Sequence, residues 1–270
     1  MVVNELKFQK EFQFSILETI YENSWTGSSF FKAFDLKEKR EVGIKVIENI
    51  NEKNFSIIRE EAIVLQKINR ITHNTPEVYM TYYDKNKNKF YIFMELIKGT
   101  TFRHLLNNQL NQEVAIKYLI SLCEILIPIH KNGYQHRDIK PENILIGNNS
   151  KVYLIDFNLT AAIPRKGEGT RQYISPEMGE YYSIISSENV DIFSIGVILY
   201  EVLTGKCPVF GIDYACDSNS TDWDLFIPPI EKSPSIPKRL NDITMKCMHL
   251  NPKKRYLSAS ALKYDLTLKR

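Results

Sequence analysis

YQHRDIKPENILIGNNSKVYLIDFN, residues Tyr134 to Asn158, is the stretch from which the rest of this sequence is read. It gathers His136, Arg137, Asp138, Lys140 and Asn143, and then a short apolar run from Val152 to Ile155 leads into Asp156 and Phe157. One carboxylate, Asp138, is placed to take a proton from a hydroxyl. Asn143 and Asp156 supply hard oxygen ligands suited to Mg²⁺. Lys140 adds a fixed positive charge beside them. A polar loop between two buried strands would explain such residues singly, but not this many specified positions in one order.

The order H-R-D-x-x-x-x-N followed by D-F-x resembles the eukaryotic-type protein kinase family, and the resemblance extends over nearly the whole chain. It implies an α+β, two-lobed fold forming one kinase domain over residues 1–270. A small antiparallel sheet with one helix would occupy residues 12–95, a hinge 96–98, and a larger, mainly α-helical lobe 99–270, with ATP in the cleft. It also implies roles. Asp138 would be the catalytic base and Lys140 the stabiliser of transferred charge; Asn143 and Asp156 would hold Mg²⁺, and His136 and Phe157 would be structural.

With 270 residues, 43% of them hydrophobic, the chain can bury a large core. Lys+Arg 35 against Asp+Glu 32 gives a formal net charge of +3, too small to argue for nucleic acid or a membrane surface as partner. Cys123, Cys207, Cys216 and Cys247 are scattered without a C-x-x-C pair, which argues against a disulfide framework or a zinc site and for reduced thiols. The first residues, MVVNELKFQK, hold no apolar run of signal-peptide length, and Ile192 to Leu203 is too short and polar to span a bilayer. The expectation is a soluble, cytoplasmic protein. The 270 residues end soon after the last kinase-like helix, and the expectation drawn from this is that they include no sensor domain.

Residues Phe14 to Phe34 alternate like a strand, a turn and a second strand, where the family carries its phosphate-covering glycine loop. Here Gly27 is the sole glycine, with Ser28 and Ser29 beside it and Trp25 near the tip. Side chains would limit how closely such a loop settles on phosphate. Next, EVGIKVIE places Val42, Ile44 and Val46 on one strand face and Gly43, Lys45 and Ile47 on the other. Lys45 matches the family's phosphate-orienting lysine, with Gly43 replacing the alanine that packs on adenine. A helix from about Glu52 to Ile68 carries an apolar stripe of Ile57, Ile58, Ala62, Leu65 and Ile68. Glu61, one turn before Leu65, is the expected partner of Lys45, with Glu60 as its rival.

Lys89 to Leu96 reads as a buried strand that runs into the hinge. There Met94 would be the gatekeeper, and the backbone of Glu95, Leu96 and Ile97 would hydrogen-bond adenine. From Gln112 to Lys131 the pattern is a buried helix with Val114, Tyr118, Leu122 and Ile125 or Leu126 inward; Pro128 should kink or stop its last turn. Leu145 falls where the family packs an apolar side chain under adenine. Asn158 replaces the glycine of D-F-G, and asparagine accepts left-handed dihedrals at modest cost.

In LTAAIPRKGEGTRQYISPE, residues 159–177, Thr170 would bond Asp138 and Lys140 as in serine/threonine kinases. Arg137 would pair with a negative charge that Glu168 could supply without phosphorylation. Glu177 of Ser175-Pro176-Glu177 would pair with Arg255, and Asp191, opening the buried helix to Gly205, would brace the catalytic loop. RYLSASALKYDL also resembles bacterial serine/threonine kinases. The acidic run 211–224 reads as a solvated loop.

These residues together imply a serine/threonine protein kinase using ATP and Mg²⁺ on a protein substrate. Two other readings share the residues. A pseudokinase would bind nucleotide or partners without turnover, as the poor glycine loop and Asn158 allow. A small-molecule kinase is the other, against which Ser175-Pro176-Glu177 and the Asp191 helix argue.

Overall fold

Alternating apolar residues need a sheet with one packed face, and the run from Arg40 to Ile47 provides its centre. A computed structural model of the protein describes residues 5–7, 13–23, 27–160, 169–178, 188–208 and 226–268. The chain divides into two compact units, Met1–Lys98 and Gly99–Arg270. In the first, strands β1 (Glu5–Lys7), β2 (Gln13–Asn23), β3 (Ser28–Asp35), β4 (Arg40–Ile47), β5 (Val78–Asp84) and β6 (Lys89–Glu95) form one antiparallel sheet in the order β1-β2-β3-β4-β6-β5.

Val42, Ile44 and Val46 share a core with Phe14, Ala33, Tyr91 and Phe93. Gly43 and Lys45, on the opposite face of β4, stand across from Met94 and Ile92 of β6 and, on the other side, Lys45 from Phe30 of β3. Two tight turns obey the same side-chain chemistry. Asp35 Oδ1 accepts the N–H groups of Lys37 and Glu38, and Asp84 Oδ1 those of Asn86 and Lys87.

Helix α1 (Glu52–Thr72) opens on a reciprocal cap, in which Asn51 and Asn54 each accept the other's backbone N–H. It continues past Ile68 because nothing between there and Thr72 breaks it; His73, at φ 53°, ends it. Its buried stripe is Glu61, Ala62, Val64, Leu65 and Ile68. Ile57 was expected in the stripe and is 40% exposed, since the first turns of α1 are mostly open to water.

The second unit is mainly helical, with a small sheet of β7 (Gly99–Thr101), β8 (Ile144–Gly147) and β9 (Val152–Leu154). Among the described residues its helices are α2 (Phe102–Asn107), α3 (Gln112–Lys131), α4 (Asn189–Thr204), α5 (Pro229–Lys232), α6 (Lys238–Cys247) and α7 (Ala259–Thr267). This is the expected α+β architecture. Helix α3 is capped by Asn111, whose side chain accepts from the N–H groups of Glu113 and Val114. It neither stops nor loses its last turn at Pro128, because the carbonyl that proline leaves unbonded belongs to exposed Glu124. Leu122, Ile125 and Leu126 face inward as expected, but in the first half of the helix the inner face is turned by one residue. Ala115, Leu119, Leu122, Cys123, Ile125, Leu126 and Ile129 are buried, whereas Val114 and Tyr118 are half-buried.

Helix α4 is apolar almost all round and is buried from Val190 to Tyr200. Gly205 ends it in the left-handed region at φ 76°. Within it Gly196 lets α6 approach closely: a Cβ there would lie 2.5 Å from the Cβ of Cys247 and 2.9 Å from Cγ of Met248. No helix among the described residues is long and apolar enough to cross a membrane. Gly196→Ala is expected to destabilise the protein by about 1–3 kcal/mol through overpacking, read as a lower urea midpoint at unchanged slope.

Candidate active site

The geometry begins at Asp191, whose side chain at the start of α4 is fully buried. A buried charge needs partners, and this one has three. Its Oδ2 accepts from the N–H of His136 at 2.9 Å and from Nε2 of His130 at 2.8 Å, and its Oδ1 from the N–H of Arg137 at 2.8 Å. Burial alone would raise this carboxyl. The hydrogen bond and charge of His130, together with His136, outweigh it and hold the group below the ordinary carboxylate value of 3.8. Arg137 itself sits in the left-handed region at φ 65°, a strained conformation for a side chain of that size, and is buried.

From there the loop is fixed residue by residue. The His136 ring donates from Nε2 to the carbonyl of Ile155 at 2.9 Å, and its Nδ1 accepts from the N–H of Asp138 at 3.3 Å. The buried ring of Phe157 meets it edge-on at 4.6 Å. The short 3₁₀ turn Pro141–Asn143 follows, and the carbonyl of Asn143 accepts from Ile155 N–H at 2.9 Å, which sets Asp156 beside it along the chain.

Asp138 is the most contacted carboxylate of the loop. Its Oδ1 accepts the hydroxyl of Thr170 at 2.7 Å and the Thr170 N–H at 2.8 Å; its Oδ2 accepts Lys140 Nζ at 2.9 Å and Asn143 Nδ2 at 3.1 Å. Lys140 Nζ also donates to Thr170 Oγ1 at 2.7 Å, closing a ring of three side chains. Gly169 makes this approach possible: at φ 112° it lies against Arg137, where a Cβ would meet the carbonyl oxygen at 3.0 Å. Glu168 lies outside the described residues.

Asn143 Nδ2 is engaged by the Asp138 carbonyl at 2.9 Å as well as by its carboxylate, which leaves Oδ1 as the atom able to face a cation. Among the described residues no group of three or more His, Cys, Asp or Glu could hold a metal by itself. One amide oxygen and one carboxylate, Asp156, fit Mg²⁺, which takes few protein ligands and completes its shell with phosphates and water. Asn158, which as an asparagine could accept a left-handed backbone, does not adopt one. The positive φ, 66°, falls instead on Asp156, so the backbone strain lies at the carboxylate and not at the position where glycine is missing.

In the first unit Lys45 Nζ donates to Glu61 Oε1 at 2.7 Å, with both side chains buried, while Glu60 is exposed. Gly27, at φ 62°, forms the hairpin turn, and its carbonyl accepts from Glu48 N–H. Buried Met94 faces Gly43 in register. Glu95 ends β6 with its N–H donated to the carbonyl of Glu77 at 2.8 Å, so that N–H is not open to a ligand. Half-buried Leu96 and Ile97 follow outside any strand. In the second unit Leu145 lies in β8 between Thr101 and Tyr153. Arg255 grips Glu177 with both terminal nitrogens, at 2.6 and 2.7 Å, in a buried pair.

Three features escaped the sequence. His130 completes the shell of Asp191. Arg103 donates to Glu142 at 2.6 Å, to Glu201 at 2.5 Å and to the hydroxyl of Tyr173, which in turn donates to Glu201 at 2.9 Å and touches Cys207 Sγ at 3.3 Å. Burial, then Cys207 and Glu201, push the Tyr173 hydroxyl well above its ordinary value. These partners are too far apart in the chain for any local pattern to pair them. The third is Phe30, whose ring lies over Gly43; only the unusual glycine hinted at it.

A family model described as protein kinase domain matches residues 26–266. A probable serine/threonine-protein kinase of Clostridium acetobutylicum is 30% identical over 250 residues, 88% of this chain and 37% of that protein. A second, of Clostridium perfringens, is 30% identical over 253 residues, 89% of this chain and 36% of that one. Serine/threonine-protein kinase PknB of Mycobacterium tuberculosis is 32% identical over 187 residues, 65% of this chain and 30% of that one. The chain thus spans about a third of the length of these relatives.

Asp191→Asn is expected to cost about 1–3 kcal/mol, because at least one of three buried donors loses its acceptor. The pH dependence has a fixed sign. A depressed folded value means that the carboxylate's contribution is full above 3.8 and is lost only as pH falls through the lower folded value. Urea titrations of both proteins should show a constant gap from neutral pH down to 3.8 and a gap that closes as pH falls from there through the lower folded value. A gap that closed on the alkaline side would contradict the arrangement.

Proposed function

The chain belongs to the protein kinase domain family, and from that premise we propose that it transfers the γ-phosphoryl group of Mg-ATP to serine or threonine hydroxyls of a protein. The observation that carries this reading is the ring of Asp138, Lys140 and Thr170. It holds a carboxylate and an ammonium within hydrogen-bond distance of one alcohol oxygen, the chemistry that an acceptor hydroxyl needs.

In the proposed reaction the acceptor oxygen forms a bond to the γ-phosphorus, the bond from that phosphorus to the β–γ bridging oxygen breaks, and the hydroxyl proton passes to Asp138. Lys140 faces the negative charge that develops on the transferred group. Lys45, held by Glu61, orients the phosphates. The family implies Mg²⁺, which when bound neutralises phosphate charge; Asn143 and Asp156 would hold it. Catalysis of this kind is mostly positioning and electrostatics, so an intact polar set outweighs a poor glycine loop.

The reading extends to activation. The hydroxyls between Asp156 and Tyr173 are those of Thr160 and Thr170. Thr170 is engaged with Asp138 and Lys140, and Thr160 Oγ1 lies 3.5 Å from the carbonyl of His136. Neither is well placed to carry an activating phosphate to Arg137. Glu168 would supply that charge instead, and the kinase would then need no phosphorylation. Phosphatase treatment should leave activity intact and Glu168→Arg should remove it; full activity in Glu168→Arg refutes this part.

Transfer of labelled γ-phosphate to the chain itself and to a basic protein, with Mg²⁺, tests the main reading. Asp138→Asn should lower it by about a hundredfold or more while ATP binding persists, with acid-stable label on serine or threonine. No transfer by the unaltered chain, despite bound ATP, would favour a pseudokinase. Label appearing only on metabolites would favour the small-molecule reading.

A further inference from the structure

On the face of β4 opposite Lys45, the sheet of the first unit carries a cavity of about 250 Å³. Its floor is apolar: Phe14 and Phe93, stacked at 4.5 Å between centroids, lie there with Val42 and Met80. Its rim is charged. Asp35 at the end of β3, Lys37 and Glu38 in the turn, and Arg40 at the start of β4 all line it. Tyr79 of β5 completes the wall, and the Arg40 guanidinium lies over its ring, 3.5 Å from the centroid.

A charged turn beside a sheet is usually a solvated edge, and three observations tell against that here. Asp35 and Arg40 stand directly opposite each other across β3 and β4, where opposite charges normally pair. They do not pair. Among the described residues Asp35 forms no ion pair and Arg40 meets no carboxylate: Arg40 is held on Tyr79, and Asp35 gives Oδ1 to the N–H groups of Lys37 and Glu38, which leaves Oδ2 for a ligand. Asp35 is also only 9% exposed while lining the cavity, so it belongs to the interior of the site and not to the outer surface of the turn. Lastly, Tyr79 is the extra residue of a β-bulge, since β5 takes two steps from Val78 to Met80 where β6 takes one from Met94 to Phe93. In a regular strand Tyr79 and Met80 would point to opposite faces; the bulge turns both into the cavity.

We propose that this cavity binds a free α-amino acid with a large apolar side chain, its carboxylate on Arg40, its ammonium on Asp35 and its side chain over Phe14 and Phe93. One molecule then supplies both of the counter-charges that the strand pair does not supply to itself. A guanidinium presents a fork that matches a carboxylate, and the neighbouring Asp35 Oδ2 accepts from the ammonium one carbon away. Lys37 and Glu38 add one charge of each sign to the rim, so the site favours a zwitterion over a simple anion or cation. The inference goes beyond the kinase reading, and neither depends on the other.

Calorimetry on the unaltered chain with L-phenylalanine, hydrocinnamate, which lacks the ammonium, and phenethylamine, which lacks the carboxylate, tests this. L-Phenylalanine should bind, and each analogue should bind about tenfold or more weakly, the scale of one lost charge-assisted hydrogen bond. Arg40→Met should weaken L-phenylalanine to the same extent and leave phenethylamine unchanged. Asp35→Asn, which keeps an oxygen for the N–H groups of the turn, should weaken L-phenylalanine and leave hydrocinnamate unchanged. The ligand that each variant still binds separates a lost contact from a lost fold. No binding of L-phenylalanine at millimolar concentration overturns the proposal. So does equal affinity for the three ligands, glycine binding as tightly as L-phenylalanine, or full L-phenylalanine affinity in either variant.

Discussion

Asp191, a carboxylate without exposure to water, fixes the backbone of the loop on which the proposed chemistry depends. Removing such a group from water is costly, and the cost is offset only by donors held in place. The donors are His130 and the N–H groups of His136 and Arg137, so two successive peptide units must point at one side chain. The dihedrals of His136, between those two units, aim both N–H groups, and the left-handed Arg137 that follows turns the chain onward to Asp138. His136 then reaches Ile155, the Asn143 carbonyl takes the N–H of the same residue, and Asp138 and Asp156 follow in fixed order. The anchor lies on α4, a helix buried on nearly every side, and a functional loop is held best by an element that cannot yield.

Charge is arranged locally. A net charge of +3 says little about a molecule in which Lys45, Lys140, Arg103 and Arg255 each face a carboxylate within hydrogen-bond distance. The two buried pairs among them, Lys45–Glu61 and Arg255–Glu177, add little stability over apolar residues of the same size, but breaking one partner away is costly. Their effect is to fix direction. Arg103 shows this for the second unit, joining Glu142 of the 3₁₀ turn, Tyr173 beyond Thr170 and Glu201 near the end of α4. Burial works against its charge, yet Glu201 and Glu142 outweigh it and the guanidinium is held firmly ionised.

The fold was legible where chemistry is local. Asp138, Lys140, Asn143 and Asp156 stand within nineteen positions in a fixed order, and the strand at Lys45 and the helix at Glu61 follow from periodicity. Local reading failed where burial is decided by distant neighbours. Ile57 has the right helical spacing but nothing to pack on, and α3 buries the face of Ala115 and Leu119 because its partners, unseen in the sequence, lie on that side. Asn158 invited the positive φ by residue type, whereas Asp156 adopts it. Propensity ranks conformations for an isolated residue; hydrogen bonds from elsewhere choose among them. The Arg103 cluster had no signal at all.

The hairpin shows how two apparent defects can be one adaptation. Read singly, glycine at position 43 and a bulky residue at Phe30 each look like a flaw in the packing of the sheet. Together they conserve volume, since the ring tip occupies the place of the absent Cβ. Interiors are packed too closely for such a match to be indifferent: either change alone would leave a void or a clash. The two residues thus form one steric unit on the strand face that carries the buried Lys45–Glu61 pair, and the shape of that face is set by both together.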